Sequence, residues 1–578
     1  MNKTKTICLL SILFLIFLSY NASACKDIVA TGNTTDGDYN LLMKVRDPSR
    51  PGLQVLCIVP EGYEYDYHDP KTGKTITYTT TQKYIGVATK GDAIPNTVKA
   101  GMTLSESGIA YGDADSGSGW INIRRHAWDD FDWIRYACQK AQTEEEAVKL
   151  LTEDVVDEMH APGVSENLFV VGPNIGYVIE ADAYRYDVKE IVDDVVVMSN
   201  YPKELWKTQK LNRLMISRDF DTSVEKSVRK GGVIRLGAFQ GVKIVSIDDY
   251  SISVKPVSFL HKIMTQSIGL ITEIPQGESK TVGNFRVTYH GPDGRKAFVN
   301  VTNLYYAWEK KLLQNIGHQH RIDVSDMIDW SRLHEDDMDG LRPICEDYFE
   351  YEGVTIYKIP KEEYDILSMG WFSPNHACSS IYVPFHICNT DIYDPYETGE
   401  ATQLSLDLLK SYGHDNLSYS FSKIEEVFFS EIESAEELLF LKDESEFLTQ
   451  VDTNMQKQAY LTQKMWLEAS KHPDKESIIR ILDRLWEKDY KTSLFNMKYA
   501  ISDFESISNS KYYIDKISEI VDSVSESKNI IHMETSETTF KFDDETPSSS
   551  DDTATYILII IVFLALVIVL YALRTKLN

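Results

Sequence analysis

The residue best placed to do chemistry in this chain is Cys25, which directly follows the small-x-small run Ala22-Ser23-Ala24. A signal peptidase cuts after such a run, and a cut after Ala24 makes Cys25 the first residue. A terminal cysteine carries a thiol and an α-amine whose pKa is about 7.7–8.0, against about 8.5 for a free thiol. The amine can therefore take the thiol proton near neutral pH, directly or through a water. One residue supplies both nucleophile and base. The thiolate attacks a carbonyl, and water then hydrolyses the thioester. Two other outcomes compete. Bacterial-type lipidation also places a cysteine after a cut, but it wants Leu at the third position before the cysteine, where this chain has Ala22. A cysteine first by accident is the other, because short motifs recur by chance.

A terminal nucleophile needs a charged neighbour to hold its amine and tune its thiol. The stretch TTDGDYNLLMKVRDPSRPG offers Arg46 and Asp47 at the end of a strand that can hairpin back beside the first, about Asp36-Gly37. Taken alone, RDPSRP also reads as a polar surface loop. An oxyanion needs hydrogen-bond donors, and Asn200 in VVVMSNYP and Asn167 before LFVVG are the candidates. Each also reads as a turn or strand-end asparagine, Asn167 more so. Asp113, Glu180 and Asp182 are carboxylates that a substrate's free amine would meet, although solvent-facing strand ends commonly carry such residues.

The elements that must position these groups are strands. From Cys25 to about Tyr201, short β-branched runs such as YNLLMKV, LQVLCIVP and DVVVMSN are bounded by Gly, Asn, Asp and Pro. NLFVVGPNIGYVIEA predicts a hairpin about Gly-Pro-Asn. DDFDWIRYACQKAQTEEEAVKLLTEDVVDEM carries apolar residues at three- and four-residue spacing and predicts helix. Strands, helix and more strands predict an α+β layered fold. The pattern stays mixed from Lys243 to about Phe421 and becomes helical from Ile424 to Val524, with ESIIRILDRLWEKDY the clearest amphipathic piece. The expected division is a leader (1–24), a catalytic domain (25–423), a helical region (424–524), an acidic Ser/Thr-rich stalk (525–555), a membrane-spanning helix (556–573) and a short tail (574–578).

The two ends fix the expected location. Lys3 and Lys5 precede an apolar run from Ile7 to Leu18, the pattern of a cleaved leader. The uncharged run from Tyr556 to Leu573 is long enough to span a bilayer, and Arg574 and Lys576 beyond it belong on the cytoplasmic side. The expectation is a cell-membrane protein with its catalytic domain outside, held by its C-terminal helix. A net charge of −29 disfavours a nucleic-acid partner. The composition leaves oligomeric state open.

Seven cysteines, one of them Cys8 in the leader, are too few for a disulfide scaffold in 578 residues. A bridge between Cys378 and Cys388 is compatible with an extracellular location, and sequons stand at Asn33, Asn300 and Asn416. His318 and His320 form a His-x-His pair with no third ligand at zinc-like spacing, so these two and His334 read as ordinary residues. No metal or organic cofactor is needed for the chemistry proposed for Cys25.

The motifs taken together resemble a known family. C-x-D-x-V-A-x-G-x-x-T-D-G, a strand ending in K-V-R-D-P, then GMTLSESGIAYGD, ENLFVVG…GYVIEAD and SNYP look like the dipeptidase A group of N-terminal-nucleophile (Ntn) cysteine hydrolases. Relatives of that group include penicillin V acylase, bile-salt hydrolase and acid ceramidase-like enzymes. RPICEDYFEYEGVTIYKIP…DILSMGWFSPNHACSSIYVPFH is similar to the group's C-terminal half, so the resemblance covers roughly Cys25 to Phe385. It implies a four-layer αββα sandwich, two antiparallel sheets between helical layers. It implies Cys25 as nucleophile, its α-amine as base, Arg46 and Asp47 as charged partners and Asn200 as the oxyanion asparagine. One departure stands out: Ser105-Glu106 occupies a place where relatives often carry Asn-Glu, so Ser105 or a backbone N–H would replace that donor. The expected activity is a peptidase or dipeptidase acting on amide bonds. The alternatives are an acylase of N-acyl amides or lipids, and a non-catalytic surface-binding protein on the same fold.

Overall fold

The computed structural model describes residues 25–46, 52–116, 120–200, 202–205, 223–236, 240–248, 250–258, 271–282, 285–304, 307–317, 321–338, 344–345, 351–414, 416–437, 439 and 444–471. The expected leader, stalk and membrane-spanning helix, together with Asp47, His318 and His320, lie outside them. No helix among the described residues is long and apolar enough to cross a membrane.

Two antiparallel sheets form the centre. One has six strands in the order Val195–Ser199, Lys26–Ala30, Tyr39–Arg46, Gly353–Pro360, Met369–Ser373 and Val383–His386. The other has seven, in the order Tyr186–Ile191, Gly176–Ala181, Glu166–Val171, Ala110–Asp115, Ala100–Ser105, Tyr84–Thr89 and Gln54–Val59. The predicted hairpin is present as Glu166–Val171 paired with Gly176–Ala181. Strands covered on both faces read as continuous apolar runs, and the runs QVLCIV, YIGVAT and ENLFVV each make such a strand.

The sheets meet closely where glycine removes a side chain. A Cβ on Gly112 would stand 3.2 Å from Asp27 Oδ1 and 3.7 Å from Leu42 Cδ2. On the far side of the seven-stranded sheet, the helices Asp130–Cys138 and Glu144–Lys149, the latter continued as a wider π turn to Glu158, cover a core that includes Trp133, Ile134, Tyr111, Leu168 and Val170. The first of them starts at a reciprocal cap between Asp129 and Asp132. Helices Ala307–Ile316, Val324–Ser331 and Glu444–Ser470 pack on the six-stranded sheet, and Glu400–Tyr412 packs on the last of these. Helix, sheet, sheet and helix are thus stacked in that order, a mixed fold of antiparallel sheets and helices.

Two features differ from the expected division. Residues 223–303 build two further four-stranded sheets around a core of their own, including Val242, Ile252, Val287 and Val299. This β unit is inserted between the strand ending at Ser199 and the helix beginning at Ala307. The helix Ser418–Glu436 also runs across the expected boundary at 423/424. It and Glu444–Ser470 join the helical layer over the six-stranded sheet and its flanking helices, turning their apolar faces to that sheet and to each other.

Candidate functional site

The site lies at one end of the six-stranded sheet, between it and its partner. Lys26 pairs with Ser199 on one side and with Val45 on the other. Continued by one residue, that register sets Cys25 in a row with Asn200 and Arg46. Alternation along a strand puts Cys25 and Asp27 on one face, and Asp27 lies opposite Lys44. Strand order alone therefore gathers Cys25, Asp27, Lys44, Arg46 and Asn200, all buried.

Lys44 is the residue the sequence did not single out. Its side chain is fully buried, and its Nζ stands 3.6 Å from Asp113 Oδ1 and 3.9 Å from Asp27 Oδ1. It also donates to the Asp113 carbonyl. Burial works against its charge, but Asp113, Asp27 and a hydrogen bond with the Cys25 sulfur hold the ammonium well above the usual lysine range. Burial pushes the Asp27 carboxyl up, with Lys44 opposing and Asp113 adding to the shift. The Cys25 sulfur thus has a buried cation against it, the setting that favours a thiolate.

Asn200 is 2% exposed, and among the described residues neither atom of its amide has a hydrogen-bond partner. A buried polar group in that state is rare unless a ligand or water completes it. Its strand is fixed from behind: Glu309 accepts from the Ser199 N–H at 3.1 Å and from the Ser199 hydroxyl at 3.0 Å. Burial pushes the Glu309 carboxyl up to about 7, against the Lys203 ammonium 2.9 Å away. Asn167 is already engaged, since its Nδ2 donates to the Ser199 carbonyl at 2.6 Å. It braces the strand that carries Asn200 across the gap between the sheets.

The other expected residues have these places. The Arg46 guanidinium donates to Gln54 Oε1 at 2.6 Å and lies 4.7 Å over the Phe131 ring. Ser105 ends its strand and turns its hydroxyl toward the Ile109 carbonyl at 3.4 Å. Asp113 belongs to the Lys44 cluster. Glu180 is buried, not solvent-facing, and accepts from the backbone N–H groups of Lys203, Glu204 and Leu205, each at 2.7 Å. Asp182 closes a local turn with Tyr184 and Arg185. Near Arg46 lie two further acids that the sequence did not mark, Glu166 buried and Asp130 half-buried. Burial pushes Asp130 and Glu166 well above the ordinary carboxylate range, and neighbouring acids, Asp115 among them, add to it.

A second convergence sits outside this site. His334, expected to be ordinary, meets Cys345, Cys378 and His414, with the four ligand atoms all within 4.8 Å of one another. Cys378 and Cys388 are both free thiols. Spacing alone could not reveal this group, because its members come from four separated segments.

No family model matches the sequence, and no curated protein matches it. Among solved structures, the chain is similar to penicillin V acylase from Agrobacterium tumefaciens, with 15% identity, a TM-score of 0.24 and coverage of 34% of this chain and 58% of that one. It is similar to a variant of conjugated bile acid hydrolase from Clostridium perfringens, with 12% identity, a TM-score of 0.23 and coverage of 39% and 65%. A cysteine-to-alanine mutant of that hydrolase gives 12% identity, a TM-score of 0.24 and coverage of 48% and 92%. The chain therefore spans less than two thirds of the length of the first two.

Proposed function

We propose that this chain is an N-terminal-nucleophile amide hydrolase, a peptidase or dipeptidase, in which Cys25 becomes the first residue when residues 1–24 are removed. The observation that carries the reading is the grouping of Cys25 with a buried ammonium, Lys44, and a buried amide, Asn200, that has no partner among the described residues. In the proposed reaction the Cys25 thiolate attacks the substrate carbonyl. The oxyanion takes a hydrogen bond from the Asn200 amide, which no group among the described residues engages and whose strand Glu309 and Asn167 hold in place. The C–N bond breaks as the α-ammonium of Cys25 gives its proton to the leaving amine. A water, deprotonated by the same amine, then cleaves the thioester and restores the thiol.

The acids beside Lys44 favour a peptide over an N-acyl lipid as substrate. Asp113 is taken up by Lys44, but Asp115, next on the same face of the strand that packs over the nucleophile's sheet, suits a substrate that brings a free ammonium group. In the same reading, the Tyr556–Leu573 helix anchors the enzyme with its catalytic domain outside the cell.

The test pairs the mature N-terminus with activity. Sequencing of the natural product is expected to begin at Cys25, and wild type is expected to cleave members of a dipeptide and N-acyl amide panel. Cys25→Ala and Cys25→Ser should be folded and inactive. Full activity in either variant overturns the mechanism. So does a natural product that begins elsewhere.

A further inference from the structure

We infer that His334, Cys345, Cys378 and His414 form a structural zinc site. Two of its atom pairs have the dimensions of zinc coordination. Cys345 Sγ and Cys378 Sγ are 3.8 Å apart, and Cys378 Sγ is 3.5 Å from His414 Nδ1. Ligands arranged tetrahedrally at zinc bond lengths of about 2.3 Å for sulfur and about 2.0 Å for nitrogen stand about 3.8 Å and about 3.5 Å apart for the same pairs. The His334 and His414 rings meet edge to face with centroids 5.3 Å apart.

The chemistry of the set selects the metal. Two thiolates and two imidazoles in tetrahedral array suit zinc among the common divalent ions. Two thiolates also cancel the charge of Zn²⁺, so the filled site is neutral. That matters because His334, Cys345 and Cys378 are all buried, where a net charge is costly. Behind Cys345 lies a supporting pair: His376 Nδ1 is 3.6 Å from its sulfur and 3.2 Å from Glu352 Oε2. Glu352 Oε2 is itself 3.5 Å from that sulfur, so the imidazole and the carboxylate together fix where the Cys345 ligand atom sits.

The fold brings each ligand in on a fixed turn. His334 opens the turn after the helix Val324–Ser331, and its N–H donates to Asp337 at 2.9 Å. The Cys345 N–H donates to the Leu333 carbonyl at 3.1 Å, beside His334. Cys378 sits in the 3₁₀ turn Ala377–Ser379. His414 follows Gly413, whose φ of +77° ends the helix Glu400–Tyr412. Zinc here clasps four separated segments over the six-stranded sheet. It also lies one residue from the catalytic strand, because Lys26 Nζ donates to the Ile344 carbonyl at 3.0 Å.

Metal analysis of the full chain, purified without chelator, tests the site independently of any hydrolytic activity. About one zinc per chain is expected, falling to about a tenth or less in Cys345→Ser and in His414→Ala. Because those variants can misfold, wild type is also stripped with a chelator and refilled with Co²⁺. Thiolate-to-cobalt absorption in the near ultraviolet, and a thermal midpoint that drops on stripping and recovers with zinc, support the site. Metal-free wild type, cobalt bands without thiolate character, or a peptide map joining Cys345 to Cys378 as a disulfide would each overturn it.

Discussion

Lys44 holds its ammonium between Asp27 and Asp113, one acid from each of the two facing sheets. It therefore does two things at once: it ties the sheets together through charge, and it presents that charge to Cys25. Lys44→Met removes the cation and leaves the two acids buried without it. Breaking a buried ion pair in this way costs about 3–5 kcal/mol, read as a lower urea midpoint. Hydrolysis should fall by at least about a hundredfold, in kcat more than in KM, because the thiolate loses its partner. Lys44→Arg, which keeps the charge, should recover much of the stability. A Lys44→Met enzyme with wild-type kcat would remove Lys44 from the mechanism.

Asn200 and Asn167 should separate cleanly. Among the described residues the Asn200 amide has no partner to lose, so Asn200→Ala is expected to leave the thermal midpoint nearly unchanged while lowering kcat about 10²–10³-fold, the usual cost of one oxyanion donor. Asn167→Ala loses its bond to the Ser199 carbonyl and should lower stability by about 1 kcal/mol, with a smaller effect on kcat. Steady-state kinetics and calorimetry on the two variants decide the assignment. The reverse pattern would exchange their roles.

The pair His386–Asp452 predicts a pH window for stability. Burial alone would lower the His386 pKa, but Asp452 at 2.8 Å, helped by Glu436 at 3.8 Å, pushes it up from 6.5 to about 9. The folded protein thus binds this proton more tightly than the unfolded chain. The contribution is complete below about pH 6.5 and is lost as pH rises through about 9, on the order of 3 kcal/mol in all. Urea midpoints measured from pH 6 to pH 10 should fall across that window. His386→Gln should flatten the fall, and an unchanged slope in the variant would assign it to other groups.

Gly112 sets the distance between the sheets. With a Cβ already 3.2 Å from Asp27 Oδ1 and 3.7 Å from Lys44 Cβ, the γ carbons of Gly112→Val have no room. Overpacking of this kind costs about 1–3 kcal/mol, and here it also displaces the groups that face Cys25. Lower thermal stability and lower kcat should appear together. Gly112→Val with unaltered kinetics would show that the spacing is not critical.

What the sequence made legible was local. Apolar runs bounded by Gly, Asn and Asp marked the strands, and apolar spacing in DDFDWIRYACQKAQ marked the helix. Cys25 stood out because a cleavage signal adjoined it, and Asn200 because it closed an apolar strand. Lys44 did not stand out, since a lysine inside LLMKVR reads as the solvent side of a half-buried strand. Only the pairing of Asp27 with Lys44, and a second sheet over both, turns it inward. The sulfur–imidazole cluster escaped for a related reason. Its members are joined by tertiary packing and not by the short intervals of a zinc finger. The strand-like runs of the inserted β unit look like more of one mixed domain, because strand patterns do not say which core a strand will join.

The clasp between Ser199 and Glu309 has an evolutionary consequence. The polypeptide stays in the two-sheet body through Leu205, whose N–H, with those of Lys203 and Glu204, donates to Glu180, and it is back in the body at Glu309, which two hydrogen bonds fasten to Ser199. Whatever is threaded into that interval hangs from a closed stem. Such a module can lengthen, shrink or acquire new surface without tugging on Asn200, which leaves this part of the protein free to diverge while the reaction centre stays put.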